Sequence, residues 1–82
     1  MDLTESVAKR VKELLKEKGM TQYALFKKTG VPQSTISTLL TGNVKTIKLC
    51  TIYEICKGLD IELSEFFNKT YLKQKAIVKK NK

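Results

Sequence analysis

Apolar residues recur at intervals of three to four positions along much of the chain, and this spacing predicts helices. Between residues 3 and 18, lysine and glutamate separate the apolar positions, as on an amphipathic helix with one buried face. The residues expected on that buried face are Val7, Val11, Leu14 and Leu15. Gly19 is expected to end the helix, because glycine adopts the left-handed conformation of a helix end without strain.

Two short helices are predicted next. Thr21 is a suitable N-cap for a helix over residues 22–29, because its hydroxyl can accept a hydrogen bond from a main-chain N–H of the first turn. The glycine that follows ends this helix. Pro32 fits the first turn of the next helix, where its missing N–H is not needed. That third helix is predicted over residues 33–40, with Gly42 closing it.

The second half of the chain predicts two more helices. Residues 46–59 have a single apolar face, with Thr46 as the candidate cap. The residues of that face are Leu49, Ile52, Ile55, Cys56 and Leu59. Residues 62–67 predict a short fifth helix. Because neither strand alternation nor a repeat is present, all five helices are expected to form one compact all-α unit.

Composition restricts the chain to one small domain. Its 82 residues allow a modest core that still folds without disulfides or a metal. Sixteen basic and eight acidic residues give a net charge of +8, which favours a polyanionic partner such as nucleic acid. Residues 1–68 carry a net charge of +2, whereas residues 69–82 hold six lysines and no acidic residue. We therefore expect a folded domain over 1–68 and a basic tail over 69–82.

Other features of the composition argue against several kinds of site. Cys50 and Cys56 fall on different sides of a helix, so we expect two reduced thiols instead of a disulfide or a metal-ligand pair. No apolar run approaches the roughly 20 residues of a membrane span, and the first residues lack the order of a secretory signal. The chain has no histidine and no glycine-rich phosphate loop. We therefore expect a cytoplasmic protein that is not an enzyme and uses no cofactor.

Residues 21–42 predict a helix-turn-helix unit, since Gly30 allows a sharp turn between two short helices. Residues 11–67 resemble the Cro/repressor-type helix-turn-helix domain of the XRE family. The resemblance rests on Gln22, Leu25, Gly30, Val31, Ile36, Leu39 and Gly42 at the family's spacing, and on a later stretch, "LCTIYEICKGLDIELSEFF", that is similar to its last two helices. It implies a compact five-helix bundle of the phage-repressor-like DNA-binding type, acting as a transcriptional regulator on operator DNA.

Four positions depart from the family pattern. Phe26 stands where the family usually has an alanine, so either the two motif helices cross more widely or the ring turns into the core. Leu15 and Leu40 stand where some members pair an arginine with a glutamate, and two leucines can replace a buried ion pair without loss of stability. Ile47 stands where proline is common. These departures concern packing and leave the expected DNA-facing surface unchanged.

The stretch from residue 30 to residue 42 is uncharged although the chain is strongly basic. A helix in the major groove meets base edges with its N-terminal residues and its outward face. On this helix those residues are Gln33, Ser34, Ser37 and Thr38. The resemblance places base contacts at three of them: Gln33, Ser34 and Thr38. Gln33 is the strongest candidate, because its amide can pair with N6 and N7 of one adenine.

Phosphate contacts are expected around this reading surface. Gln22 begins the second helix, where main-chain N–H groups and the helix dipole favour an anion. The further candidates are Thr35, Asn43, Lys45, Lys27 and Lys28. Because one small unit contacts few base pairs, we expect a homodimer on a palindromic double-stranded DNA operator, with a repressor as the first hypothesis for its action.

A protein-interaction module, such as an antitoxin or an anti-repressor, is the alternative function. The tail favours it, because Tyr71, Leu72, Ile77 and Val78 are apolar anchors in a segment too polar to fold alone. The tail could also dock on RNA or an anionic membrane. Its lack of a continuous apolar face argues against membrane docking.

Overall fold

The computed structural model describes residues 2–44 and 46–73 of the chain. These residues form five α-helices and one turn of 3-10 helix: α1 Leu3–Glu17, α2 Gln22–Thr29, α3 Gln33–Thr41, α4 Leu49–Leu59, α5 Leu63–Phe66 and the 3-10 turn Thr70–Leu72. This part of the chain contains no strand. The predicted all-α fold of five helices is confirmed, and the limits of the first three helices agree with the prediction to within one residue.

The first two helices begin at side-chain caps. Asp2 accepts a hydrogen bond from the main-chain N–H of Glu5, and the Glu5 carboxylate accepts one from the N–H of Asp2, both at 3.0 Å. This reciprocal capping box satisfies donors that a helix start leaves without intrahelical partners. Thr21 caps α2 as predicted, since its Oγ1 accepts a hydrogen bond from the N–H of Ala24 at 3.0 Å.

One apolar core joins the helices. α1 packs on α3, α2 packs on both α3 and α4, and α4 packs on α5. Apart from Leu49, the residues predicted for the buried faces of the first and fourth helices are buried: Val7, Val11, Leu14, Leu15, Ile52, Ile55, Cys56 and Leu59. The core also contains Leu25, Ile36, Leu39 and Phe66. Leu15 and Leu40 are also buried in this core, at the position of the ion pair of some family members. The ring of Phe26 is partly buried against the core, which favours the second of the two arrangements expected for it.

The start of α4 differs from the prediction. Thr46 is not the cap, because the helix begins three residues later and Lys48 precedes it without a side-chain hydrogen bond. Leu49, predicted on the buried face, is 66% exposed. As the first residue of the helix it lies at the free end, whereas Ile52, one turn on, reaches the core. Pro32 also precedes its helix instead of lying inside the first turn.

α2 and α4 approach each other closely at Gly58. This glycine lies inside α4 and is buried, and a Cβ atom built on it would overlap Cγ2 of Thr29 and come within 3.3 Å of Cδ1 of Leu25. Oγ1 of Thr29 donates a hydrogen bond to the carbonyl of Leu25 at 2.8 Å. The absence of a side chain at Gly58 therefore allows the end of α2 to pack directly on α4.

α1 also contacts the last part of the described chain. The buried side chain of Arg10 donates hydrogen bonds to main-chain carbonyls at the end of α5. The 3-10 turn packs on α1, where the Tyr71 hydroxyl donates to the carboxylate of Glu13 and Nζ of Lys9 lies 4.6 Å from the centre of the Tyr71 ring. Burial, and then Glu13, raises the pKa of Tyr71 to about 12.

The other apolar residue of this turn, Leu72, is partly buried against the core. The first residues of the predicted tail, 69–73, therefore contact the helical domain. Ile77 and Val78, the other apolar anchors predicted in the tail, lie outside the described residues.

The two cysteines are free thiols, as predicted, with Cys50 exposed and Cys56 buried. Burial raises the pKa of the Cys56 thiol; Arg10 lowers it and Glu65 raises it by smaller amounts. Across residues 2–44 and 46–73, the structure holds no helix with the length and apolar character needed to cross a membrane.

Candidate nucleic-acid interface

A three-residue turn joins α2 to α3. Gly30 adopts a left-handed conformation at φ 77° and donates its N–H to the carbonyl of Phe26 at 2.8 Å, which ends α2. Val31 then enters the core, and its N–H donates to Oγ1 of Thr29 at 3.1 Å. These contacts fix the angle between the two helices, as a helix-turn-helix unit requires.

The outward face of α3 is exposed and uncharged. All four residues predicted to read bases are exposed: Gln33, Ser34, Ser37 and Thr38. The opposite face is buried through Ile36, Leu39 and Leu40. Because α3 buries one side and presents only amide and hydroxyl groups on the other, it can hydrogen-bond a partner without attracting it by charge.

Two threonine hydroxyls on α3 donate hydrogen bonds to the helix itself. Oγ1 of Thr38 donates to the carbonyl of Ser34 at 2.8 Å, and Oγ1 of Thr41 donates to the carbonyl of Thr38 at 2.6 Å. Thr41 also accepts a hydrogen bond from the N–H of Asn43 at 3.2 Å, which continues the network into the loop after α3. These bonds hold the side chain of Thr38 in one orientation on the exposed face.

A shallow groove runs between α3 and the start of α4. Ser34, Thr35 and Thr38 form one wall of this groove, so the structure brings a predicted phosphate contact beside two predicted base-reading residues. The opposite wall includes Thr46, Lys48 and Thr51, which were not predicted as contacts. Lys48 is exposed, and it adds a cation to this hydroxyl-rich surface. Its place directly before α4, in the loop that follows α3, is the signal that could have identified it.

The start of α2 is arranged to accept an anion. Gln22 is exposed and is the first residue of the helix, where main-chain N–H groups have no intrahelical acceptor. Nζ of Lys27 lies 5.9 Å from the centre of the Tyr23 ring, beside this first turn. The structure therefore places the charge of Lys27 beside the ring of Tyr23, the second residue of α2.

The other predicted phosphate contacts lie in different places. Lys28 is exposed, and its Cβ lies beside Gly58 of α4, away from the start of α2. Asn43 is exposed in the loop directly after α3. Lys45 lies outside the described residues. No group of three or more histidine, cysteine, aspartate or glutamate residues in the described ranges is arranged to hold a metal.

Comparison with known proteins identifies the family. Residues 10–69 match the family model of the Cro/C1-type HTH DNA-binding domain. The search of curated proteins found no match.

Several solved structures share the fold. The restriction-modification controller protein C.Esp1396I, as a tetramer in complex with its natural 35 base-pair operator, superposes with a TM-score of 0.73 at 29% sequence identity, covering 79% of this chain and 84% of that chain. The wild-type C.Esp1396I protein gives a TM-score of 0.72 at 31% sequence identity, covering 79% of this chain and 83% of that chain. Prophage Lp1 protein 11 gives a TM-score of 0.78 at 25% sequence identity, covering 90% of this chain and 99% of that chain.

The family match spans the helix-turn-helix unit and the helices that support it, and the solved structures agree with it over most of the chain. The chain thus belongs to the Cro/C1-type helix-turn-helix family and is a DNA-binding transcriptional regulator.

Proposed function

We propose that this regulator binds a palindromic operator as a homodimer and reads bases in the major groove with α3. The observation that carries the proposal is the outward face of α3, which is exposed, uncharged and lined with amide and hydroxyl groups. Base edges are recognised by hydrogen bonds and methyl contacts, whereas charged side chains are drawn to any phosphate. A neutral face on a basic protein is therefore suited to discrimination between sequences.

Each reading residue has a definite task in this proposal. Gln33, at the start of α3, pairs with N6 and N7 of an adenine, because its amide offers both a donor and an acceptor. Thr38 presents its methyl group and hydroxyl one turn further along. Ser34 and Ser37 complete the surface with short hydroxyls that contact bases directly or through water.

Phosphate contacts hold the protein on the duplex. Gln22 binds a phosphate at the start of α2, and Lys27, whose Nζ lies 5.9 Å from the centre of the neighbouring Tyr23 ring, is a further phosphate contact. The remaining proposed contacts are Thr35, Asn43, Lys45 and Lys28, and we add Lys48 because it lines the same groove as Thr35. These contacts set the position of α3 and carry no direct sequence information.

A dimer follows from the size of the unit. One helix reads only a few base pairs, and two units about one helical turn apart, roughly 34 Å, double the site. The tetramer of C.Esp1396I on its operator supports assembly of this kind. Repression and a cytoplasmic location, both expected from the sequence, remain part of this proposal.

Selection from a random pool of duplexes tests the proposal. The purified chain is incubated with the pool at a fixed salt concentration, and the bound duplexes are amplified and sequenced over several rounds. We expect enrichment of one short palindrome, with half-sites about one helical turn apart. A pool that stays random would contradict sequence-specific reading and would favour the protein-interaction module.

A further inference from the structure

We propose that Thr41 is a positioning residue for DNA binding: its hydroxyl fixes Asn43 relative to the outward face of α3, so that Asn43 meets a phosphate while α3 meets the bases. The inference deepens the proposed function and rests on the phosphate contact proposed at Asn43. It assigns a task to Thr41, which acts on the duplex through Asn43 and not by a contact of its own.

The hydroxyl of Thr41 has a partner on each side. It donates its proton to the carbonyl of Thr38 at 2.6 Å, and its oxygen accepts the main-chain N–H of Asn43 at 3.2 Å. A threonine hydroxyl has one proton and two acceptor lone pairs, so donation to α3 sets the direction from which the oxygen can accept. Two hydrogen bonds linked through one hydroxyl also strengthen each other. The helix thus orients the hydroxyl, and the hydroxyl orients Asn43.

The turn after α3 brings Asn43 back towards the helix. Gly42 adopts a left-handed conformation at φ 75° and donates its N–H to the carbonyl of Leu39 at 3.2 Å. Gly42 is buried, and a Cβ atom built on it would lie 3.5 Å from Cα of Glu5. The turn is therefore held by α1 on one side and by the hydroxyl of Thr41 on the other.

Thr4 of α1 is a weaker anchor for this turn. Its Oγ1 lies 3.2 Å from the carbonyl of Gly42, but it lies 3.0 Å from Oδ1 of Asp2. One proton serves these two acceptors, and the carboxylate is the stronger of them because it is charged. Thr41 donates at a shorter distance and accepts from Asn43 directly, so we assign the positioning to Thr41.

The position of these residues separates a role in binding from a role in folding. Thr41 and Asn43 are both exposed, and at the surface water can replace either partner of their hydrogen bond. The bond uses the main chain of Asn43, so its exposed side-chain amide is available to a phosphate. A loop that is already ordered in the free protein does not have to be ordered on binding. Loss of the bond should therefore reduce affinity for DNA more than melting temperature.

Three variants test the hydroxyl. Thr41→Val keeps the branched shape and removes the hydroxyl, whereas Thr41→Ser keeps the hydroxyl. The control, Thr70→Val, makes the same change at an exposed threonine of the 3-10 turn. Fluorescence anisotropy measures the affinity of each for one random duplex at a fixed salt concentration. We expect Thr41→Val to bind about three- to tenfold more weakly, as for the loss of one hydrogen bond, and the other two variants to bind like the wild type.

A double-mutant cycle shows whether Thr41 acts through Asn43. Asn43→Ala removes the proposed phosphate contact and should weaken binding by itself. In that background Thr41→Val should have little further effect, because the side chain that it positions is absent. Additive losses would show that Thr41 acts on the duplex independently of Asn43, and they would overturn the proposal.

Nuclear magnetic resonance relaxation tests the positioning without DNA. The order parameter of the Asn43 amide should match those of α3 in the wild type, fall in Thr41→Val, and stay high in Thr41→Ser and Thr70→Val. A mobile Asn43 amide in the wild type would overturn the proposal before any variant is made. Circular dichroism melting checks that the variants remain folded.

The outcomes separate this proposal from the proposed function. If Asn43→Ala binds like the wild type, the phosphate contact at Asn43 is wrong and the positioning by Thr41 is overturned with it. If Asn43→Ala binds weakly and Thr41→Val does not, the phosphate contact stands and the positioning alone is overturned. If selection yields no palindrome, base reading has failed, and affinity for the random duplex still tests Thr41.

Discussion

Nε of Arg10 donates a hydrogen bond to the main-chain carbonyl of Phe66 at 2.6 Å, and an Nη atom of the same guanidinium donates to the carbonyl of Glu65 at 2.8 Å. Arg10 is only 3% exposed, so its charge is buried beside two carbonyls at the end of α5. The carbonyl of Glu65 also accepts the N–H of Asn68 at 3.3 Å, whereas no other donor within the described residues is seen at that of Phe66. The guanidinium also lies 6.0 Å from the Phe66 ring. One side chain of α1 thus holds the end of α5. This end closes the core and is followed by the 3-10 turn that packs on α1.

Replacing Arg10 by methionine should destabilise the domain strongly. Methionine fills a similar space but leaves the carbonyl of Phe66 without its donor and that of Glu65 with main-chain donors alone. Because an unsatisfied buried acceptor is costly, we expect a fall in the free energy of unfolding of about 2–3 kcal/mol. Urea denaturation monitored by circular dichroism measures this free energy of unfolding. Lys12→Met, an exposed change on the same helix, should shift the value by less than about 0.5 kcal/mol.

Gly58→Ala should also destabilise, although alanine is the better helix former. The new methyl group would overlap Cγ2 of Thr29, and overpacking of this kind costs about 1–3 kcal/mol, more than the helix propensity returns. Thermal melting measures the decrease in stability. The double variant Gly58→Ala and Thr29→Ser removes the overlapping methyl and keeps the hydroxyl, so it should recover most of the stability. No recovery would show that Leu25 or the backbone, and not Thr29, resists the alanine.

The two thiols should differ in reactivity. Cys50 is exposed, whereas Cys56 is buried and its pKa is raised chiefly by that burial. Since the thiolate is the reactive form, we expect one thiol to react with Ellman's reagent in the native protein at pH 8 and both to react in denaturant. Cys50→Ser should remove the fast reaction. Fast reaction of that variant would contradict the burial of Cys56.

Stability should decrease at alkaline pH through Tyr71. Its folded pKa is about 12, raised from 10.0 by burial and then by Glu13. Between these values the unfolded chain loses the phenolic proton first, so the contribution of Tyr71 to stability is complete below pH 10 and is lost as the pH rises through 12. Tyr71→Phe should therefore lose less stability than the wild type between pH 9 and pH 11.5, measured as melting temperature. Equal decreases in the two proteins would contradict the hydrogen-bonded, protonated phenol.

Replacing Gln33 or Gln22 by alanine should distinguish base reading from phosphate binding. Gln33→Ala removes a side chain able to make two hydrogen bonds to one adenine, a pairing worth about 1–3 kcal/mol of discrimination. We expect weaker binding to the selected site with unchanged affinity for random DNA. Gln22→Ala should weaken binding to both duplexes alike, because a phosphate contact carries no direct sequence information. Titrations at two salt concentrations measure the affinity of each variant for the selected and the random duplex. If both variants lost affinity for both duplexes to the same extent, base reading through Gln33 would be excluded.

Local signals predicted the helices well. Thr21 and Gly30 determine where α2 begins and ends through short-range geometry, and both act in the structure as the sequence indicates. The start of α4 was predicted too early, because Thr46 looks like a cap in the sequence although no helix turn follows it directly. A cap signal shows that a helix can start at a residue, whereas packing decides whether it does.

Long-range contacts were not predictable from the sequence. Arg10 lies among charged residues of an amphipathic helix, and its carbonyl partners are more than 50 positions away. Tyr71 lies in a lysine-rich segment and docks on Glu13, 58 positions distant. Neither contact leaves a periodic signal. Within the proposed interface, spacing predicted the exposed face of α3, but the groove that adds Lys48 depends on how the loop folds back.

The hydrogen bond that Thr38 makes within its own helix would restrict which bases this residue recognises in the proposed complex. Its hydroxyl has one proton, and that proton already points at the carbonyl of Ser34. In the proposed complex, Thr38 would therefore offer an acceptor beside a methyl group. This pair suits the amino group of adenine or cytosine and the methyl of thymine, and it is a poor match for guanine, whose major-groove edge carries only acceptors. In the proposed complex, Gln33 can both donate and accept hydrogen bonds, whereas Thr38 can only accept them. If Thr38 reads a base as proposed, its bond to Ser34 limits which base fits at that operator position.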